Sequence, residues 1–151
     1  RSEDTRRRAE RYATEALQRL ARATRLPLTV SATWSDALGP VTPVPALTRL
    51  AAMPVGWADV TILPTDDRLV PVTDPLSNAG MLARLFLPKK ARVLPLTAGE
   101  KDHVAAGRAA DERIADLDWP LDVAWLGVGE DGHTASIFPG PDFDAAIAGP
   151  K

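Results

Sequence analysis

The stretch Leu121-Asp-Val-Ala-Trp-Leu-Gly-Val-Gly-Glu-Asp-Gly-His-Thr-Ala-Ser-Ile-Phe-Pro-Gly140 decides the fold, because an apolar strand runs directly into a glycine turn. Three glycines and two carboxylates precede His133, and small residues follow it. Glycine permits positive φ and a close approach of the backbone to a ligand. Histidine is the side chain best suited to proton transfer near neutral pH. The stretch therefore predicts a functional loop at the carboxyl end of a strand.

Upstream of this stretch, strand patterns alternate with helix patterns. Strands are predicted at residues 28–33, 60–63, 91–95 and 121–126, and helices at residues 3–25, 46–53 and 98–117. A further helix begins at Ser77 or Asn78 and carries an apolar face. In the helix at residues 98–117, we expect Val104, Ala105, Ile114 and Leu117 to face inward.

Strands that alternate with helices imply right-handed crossovers and a parallel sheet. The predicted fold class is therefore α/β: a doubly wound, mostly parallel sheet with helices on both faces. Ligands collect at the carboxyl ends of such strands. We expect the loops at residues 34–45, 64–75 and 127–140 to lie together at that edge.

Composition narrows the classes of function. The 151 residues predict a single domain over 1–151 with a hydrophobic core. The formal net charge of −2 gives no reason to expect nucleic acid or an anionic membrane as partner. The chain has no cysteine, which excludes disulfides and thiolate chemistry. No long apolar run or signal peptide is visible, so the cytoplasm is the expected compartment. Since the chain ends soon after its best motif, we also expect it to lack a carboxyl-terminal part.

His133 and its neighbours are the strongest candidates for chemistry. A glycine turn between a strand and a helix start predicts a nest of backbone N–H groups that could hold a phosphate or an oxyanion. His133 could act as a general base on water, with Glu130 or Asp131 orienting the imidazole. The alternative is a tight turn with an exposed histidine. The G-x-G-x-x-G spacing of a dinucleotide site is not present.

Two other loops carry weaker signals. Residues 65–68, Thr-Asp-Asp-Arg, could bind sugar hydroxyls or a phosphate, or form a solvated loop with a surface ion pair. Residues 39–43, Gly-Pro-Val-Thr-Pro, could present donors to a phosphate, or form a proline-rich surface loop. The two histidines, His103 and His133, lie on separate elements, and we expect His103 on a helix surface. We predict no metal and no cofactor.

Two segments resemble the 6-phosphogluconolactonase family of the sugar-phosphate isomerase-like superfamily. Residues 126–140, from Leu-Gly-Val-Gly-Glu-Asp-Gly-His to Ile-Phe-Pro-Gly, match the family's most specific signature. Residues 57–71, together with Asp-Pro-Leu-Ser-Asn at 74–78, match its Asp-Glu-Arg loop and its Ser-Asn helix start. The resemblance spans residues 28–145 and covers the first part of a family member.

The resemblance implies a metal-free hydrolase. It implies that 6-phospho-D-glucono-1,5-lactone, a small phosphorylated sugar lactone, is opened to 6-phosphogluconate in the oxidative pentose phosphate pathway. The implied catalytic residues are His133, as general base, and Asp131, which supports it. The substrate-binding candidates are Asp66, Arg68, Gly39, Thr42, Gly129 and Gly132. The resemblance leaves the oligomeric state open.

Two positions depart from the family pattern. Asp67 stands where the family usually has glutamate, and Pro40 stands in a phosphate loop that normally reads Ser-Gly-Gly-x-Thr-Pro. Proline lacks the backbone N–H donor that the loop would use there. Two alternative functions remain. Glucosamine-6-phosphate deaminases share the Asp-Gly-His turn but carry a further acid after it, which residues 134–138 lack. A non-catalytic sugar-phosphate-binding relative could keep the turn and lose the phosphate loop.

Overall fold

Four parallel strands form the sheet in the part of the chain that the structure describes. The computed structural model describes residues 8, 11, 15, 28–32, 44–100, 102–128 and 131–149. Within these residues, β1 is Leu28–Ala32, β2 is Val60–Pro64, β3 is Arg92–Val93 and β4 is Val123–Trp125. The strands lie in the order β3-β2-β1-β4, and every pairing is parallel. The predicted parallel sheet is confirmed, although β3 and β4 are shorter than the sequence pattern suggested.

Among the described residues, four helices connect or follow these strands. They are α1 Val44–Ala51, α2 Asn78–Phe86, α3 His103–Ile114 and α4 Phe143–Ala148. Single 3-10 turns occupy Trp57–Asp59 and Leu87–Lys89. Of the helix predicted at residues 3–25, positions 8, 11 and 15 are helical, and the others lie outside the described residues.

The core lies between β2 and the pair of helices α1 and α2. Leu82 and Phe86 of α2 are almost fully buried, and so are Leu47 of α1 and Ile62 of β2. The rings of Trp57 and Phe86 lie 5.1 Å apart at an interplanar angle of 56°, a tilted arrangement that aromatic pairs favour. Strand β2 is buried at four of its five positions, as its continuous apolar character predicts.

Ser77, one of the two predicted caps, is the N-cap of α2, and Asn78 is the first residue of the helix. Its backbone is extended at Ser77, and the Ser77 hydroxyl accepts a hydrogen bond from the Gly80 N–H at 3.0 Å. This bond satisfies one of the donors that the first helical turn leaves without a partner.

The prediction for α3 is wrong at its amino end. Residues 98–100 are not helical: the Ala98 N–H donates to Glu100 at 2.6 Å, and Gly99 takes a φ of +98°. Asp102 then caps the helix by accepting from the Ala105 N–H at 2.8 Å. Of the residues expected to face inward, Val104 and Ala105 are exposed and Ile114 is partly buried, while Leu117 is buried beyond the end of the helix at Ile114.

Other boundaries differ less. Helix α1 begins at Val44, before the predicted start at residue 46, and holds Pro45 in its first turn, where the missing N–H costs no helical bond. His103 is exposed on the first turn of α3, as predicted. No helix in the described part of the chain is long and apolar enough to cross a membrane. Cytoplasmic localisation stays a prediction.

Candidate active site

Asp131 and His133 form a close pair at the turn that follows β4. The Asp131 Oδ1 lies 2.5 Å from the Nδ1 of His133 and also accepts the His133 backbone N–H at 3.1 Å. Gly132 between them takes a φ of +88°, which lets the chain fold back on itself. One carboxylate oxygen thus holds both the backbone and the ring of His133.

The partner on Nδ1 decides what the other ring nitrogen can do. A carboxylate acceptor favours the tautomer with the proton on Nδ1, which leaves the lone pair on Nε2. The His133 side chain is 9% exposed, and the Asp131 side chain is 57% exposed. The hydrogen bond from the His133 ring, followed by the bond from its backbone N–H, lowers the pKa of Asp131 below the ordinary 3.8. Asp131 is therefore an ionised carboxylate at neutral pH.

A short turn closes behind His133. Thr134 and Ile137 exchange backbone hydrogen bonds at 3.2 and 2.9 Å, and Ala135 between them takes a φ of 51°. The Thr134 hydroxyl donates to the carbonyl of Gly127 at 2.8 Å, which ties the turn to the chain leaving β4. The Phe138 ring stacks on the imidazole with centroids 4.6 Å apart.

The helix start expected after the glycine turn is wrong. Residues 131–142 form turns, and the next helix is α4, at Phe143–Ala148. The exchange of bonds between Thr134 and Ile137 closes the chain into a turn that is incompatible with a helix from His133. Within the described residues of this turn, no helix N-terminus therefore stands behind the expected nest of N–H groups. The alternative of a tight turn with an exposed histidine is wrong about the histidine, since His133 is buried, with 8% of its surface exposed.

Asp67 holds the loop after β2 against the start of α2. Its Oδ1 accepts from the Asn78 N–H at 2.8 Å, and its Oδ2 accepts from the Ala79 N–H at 3.0 Å. Oδ1 also accepts the Arg68 N–H at 2.9 Å. A carboxylate at the positive end of the helix dipole is well placed electrostatically. Asp67 thus organises the loop on which its two neighbours stand.

Arg68 is oriented by the same helix start. Its Nη1 donates to the carbonyl of Leu76 at 2.8 Å and to Asn78 Oδ1 at 3.1 Å. The Asn78 amide in turn donates to the Asp66 carbonyl at 3.0 Å. A guanidinium carries five N–H donors in a rigid fork, so these bonds fix its plane.

A hydrogen bond between described residues joins the two loops. The Ser136 hydroxyl donates to Asp66 Oδ2 at 2.7 Å. The expectation that residues 64–75 and 127–140 share one edge of the sheet is therefore confirmed. The third loop of that prediction lies at 34–45, and its residues 34–43 fall outside the described residues.

Comparisons with known proteins agree with this architecture. Residues 3–146 match the family described as glucosamine-6-phosphate isomerases/6-phosphogluconolactonase. The chain belongs to this family. Over 118 residues it is 42% identical to the 6-phosphogluconolactonase of Mesorhizobium japonicum, covering 74% of this chain and 48% of that protein. Over 109 residues it is 45% identical to that of Pseudomonas putida, covering 70% and 45%. The chain spans about half the length of these curated relatives.

Solved structures of this family share the fold. A 6-phosphogluconolactonase from Shewanella baltica superposes with a TM-score of 0.75 at 25% identity, covering 93% of this chain and 59% of that one. The enzyme from Thermotoga maritima gives a TM-score of 0.67 at 24% identity, with 85% and 60% covered. The predicted fold class and the predicted family are both confirmed.

The structure places five of the eight candidate site residues of this family member. His133 and Asp131 are in direct contact, Gly132 joins them, and Asp66 and Arg68 lie on the neighbouring loop. Gly39, Thr42 and Gly129 lie outside the described residues, as does Glu130, the other acid considered as a partner for His133. Within the described residues, no group of three or more His, Asp or Glu side chains could hold a metal ion.

Sequence reasoning missed two residues of the site. Asn78 bridges Asp66 and Arg68, and Ser136 reaches Asp66 from the other loop. Asn78 had a local signal, because it follows the Ser77 cap of α2. Ser136 had none, since its partner lies on a different strand loop.

Proposed function

We propose that this chain is part of an enzyme that hydrolyses 6-phospho-D-glucono-1,5-lactone to 6-phosphogluconate, in the oxidative pentose phosphate pathway. The observation that carries the proposal is the Asp131–His133 pair, with Asp131 on Nδ1 at 2.5 Å. That pair lies in a chain whose relatives in Mesorhizobium japonicum and Pseudomonas putida are 6-phosphogluconolactonases.

In the proposed reaction, His133 acts as the general base. Its Nε2 takes a proton from a water molecule, and the resulting hydroxide adds to the lactone carbonyl carbon. The tetrahedral intermediate collapses with cleavage of the bond between that carbon and the ring oxygen. The ring oxygen receives the proton from His133, so water is consumed and the open-chain acid is released.

Asp131 supports this proton transfer in the proposed mechanism. It holds the imidazole in the tautomer that exposes the Nε2 lone pair, and its negative charge stabilises the imidazolium that forms. Asp131 is suited to this role because its lowered pKa keeps it ionised at neutral pH.

The proposal assigns substrate contacts to six further residues. Arg68 contacts the phosphate or another anionic group of the substrate, for which a guanidinium provides a charged, bidentate donor. Asp66 accepts from sugar hydroxyls, while the backbone of Gly129 and Gly132 lies close to the substrate. Gly39 and Thr42 contribute donors to the phosphate. We propose that the enzyme uses no metal and no cofactor.

The test is lactone hydrolysis by the full-length protein that carries this sequence. Because δ-lactones open spontaneously, the uncatalysed rate must be subtracted at each pH. We expect hydrolysis above background, and we expect His133→Ala to lower kcat about 10²- to 10⁴-fold, the usual contribution of a general base.

A matched control is available in the other histidine. His103 is exposed on α3, so His103→Ala should leave kcat unchanged. A full-length wild-type protein with no rate above background would contradict the proposed function. A normal rate in His133→Ala would contradict only the general-base role.

A further inference from the structure

The bond between Ser136 and Asp66 joins residues that lie 70 positions apart in the chain. The Ser136 hydroxyl donates to Asp66 Oδ2 at 2.7 Å, and the other carboxylate oxygen lies 3.5 Å from the Asn78 amide nitrogen. A hydroxyl that donates to an ionised carboxylate makes a shorter and stronger bond than one that donates to a neutral acceptor.

On one side, this bond holds the turn that contains His133. Ala135 keeps a left-handed φ of 51°, which is costly for a residue with a Cβ. Backbone of this kind persists where surrounding contacts over-determine it. Thr134 ties the turn to Gly127, in the chain that leaves β4, and Ser136 ties it to Asp66, in the loop after β2. The imidazole stacks on Phe138 from the same turn, so ring and turn shift together.

On the other side, the bond ends on a rigid support. The Asp66 carbonyl accepts the Asn78 amide at 3.0 Å, and the same amide group accepts from Arg68 Nη1 at 3.1 Å. Asn78 is 4% exposed and is the first residue of α2. A displacement of Ser136 therefore changes the position of His133 relative to Arg68.

We propose that Ser136 is a positioning residue of this site. Its hydroxyl, through Asp66, fixes the His133 turn against the β2 loop, so that the imidazole and the Arg68 guanidinium meet one substrate at a set separation. The proposal rests on the proposed function. It also gives Asp66 a role in positioning, beside its predicted contact with substrate. Small misplacements of a reacting group cost large factors in rate.

The activity test compares two substitutions in the full-length protein. Ser136→Ala removes the hydroxyl and should lower kcat about tenfold, or about 1.4 kcal/mol, with little change in KM. Ser136→Thr keeps a hydroxyl that can reach Asp66 and should restore most of the rate. Asp102→Ala serves as a stability control, because it removes the cap of α3 and lowers Tm while leaving kcat unchanged.

A second measurement tests the positioning role of Ser136 independently of catalysis. Amide hydrogen exchange in residues 131–138 should become faster in Ser136→Ala than in wild type and return toward wild type in Ser136→Thr. Unchanged exchange overturns the proposal, even if the protein proves inactive on the lactone. In an active protein, an unchanged kcat in Ser136→Ala also overturns the proposal. An equal loss of kcat in Asp102→Ala and Ser136→Ala overturns it as well, because the loss would then follow stability and not position.

Discussion

Asp131 and Asp67 have different roles because different hydrogen-bond donors contact their carboxylates. Asp131 is exposed and holds the ring and backbone of a single histidine. Asp67 is partly buried and accepts backbone N–H groups at the start of α2. Both carboxylates are fixed by N–H donors, yet only the first has a titratable partner. The difference lies in the donors that each fold environment supplies.

The pH dependence of stability follows from the carboxylates whose pKa is lowered. Hydrogen bonds from His133 hold the pKa of Asp131 below 3.8. The Ala98 N–H, and then Arg113, lower the pKa of Glu100 from 4.5 to about 2. A lowered pKa means that the contribution to stability is present above the ordinary value and is lost as pH falls through the folded value. We expect the urea midpoint to fall progressively below pH 4.5.

The two sites can be separated by substitution. Glu100→Gln should flatten the pH dependence between 4.5 and about 2, whereas Asp131→Asn should flatten it only below 3.8. The Asp131 side chain is exposed, so solvent screening keeps its effect small, whereas the Glu100 side chain is 15% exposed. Identical pH profiles in wild type and Glu100→Gln would contradict this assignment.

At the scale of elements, the start of α2 organises the loop after β2. Ser77 caps the helix from one side and Asp67 from the other, while Asn78 connects Asp66 with Arg68. These bonds draw a long loop onto a helix end. The backbone of Val72 also packs so closely on Gly80 that a Cβ there would lie 2.0 Å from the Val72 carbonyl oxygen. Glycine at position 80 is therefore required by packing.

This close approach predicts opposite effects for two glycine substitutions. Gly80→Ala forces the Val72 backbone away and should destabilise the full-length protein by about 1–3 kcal/mol, the usual cost of overpacking. Gly107→Ala, in the middle of α3 with nothing within 4 Å, should stabilise it by about 0.5–1 kcal/mol. Urea denaturation measures both. Equal stability of the two variants would refute the packing argument.

At the scale of the whole molecule, the sheet brings together loops that are distant in sequence. Parallel strands β1, β2 and β4 place their carboxyl ends at one edge, where Asp66 meets Ser136. Within the described residues, β4 pairs with β1 alone and forms an edge of the sheet. Leu126 and Val128, just beyond it, are 54% and 71% exposed. Apolar residues beside an unpaired strand edge favour association with other chains.

Because of this exposure, we expect an added lysine to reduce self-association of the 151-residue chain more at position 128 than at position 104. Val128→Lys should reduce self-association, measured by static light scattering over a concentration series, because it replaces an exposed apolar residue just beyond the edge strand β4 with a charged one. Val104→Lys adds the same charge on the exposed surface of α3 and should have a smaller effect. An equal reduction in both variants would mean that net charge, and not the edge of β4, governs association.

Local chemistry explains why much of the fold could be predicted from the sequence. Continuous apolar character marked β2 as a buried strand, and the Ser77-Asn78 pair marked the start of α2. Positions set by competition between local bonds were harder to predict. The Glu100 and Asp102 side chains each accept a hydrogen bond from a nearby N–H, and α3 begins only at His103. Periodicity alone carries no information on such competing bonds.

The sequence by itself determined the parallel α/β class and the family, and it limited the expected partner of His133 to Glu130 or Asp131, because these acids are its neighbours in the chain. The tertiary structure alone decided that His133 is buried in a turn rather than placed at a helix start, and that Ser136 bonds Asp66. The physical reason is distance along the chain. A contact across 70 residues exists only once the parallel strands have set the two loops side by side.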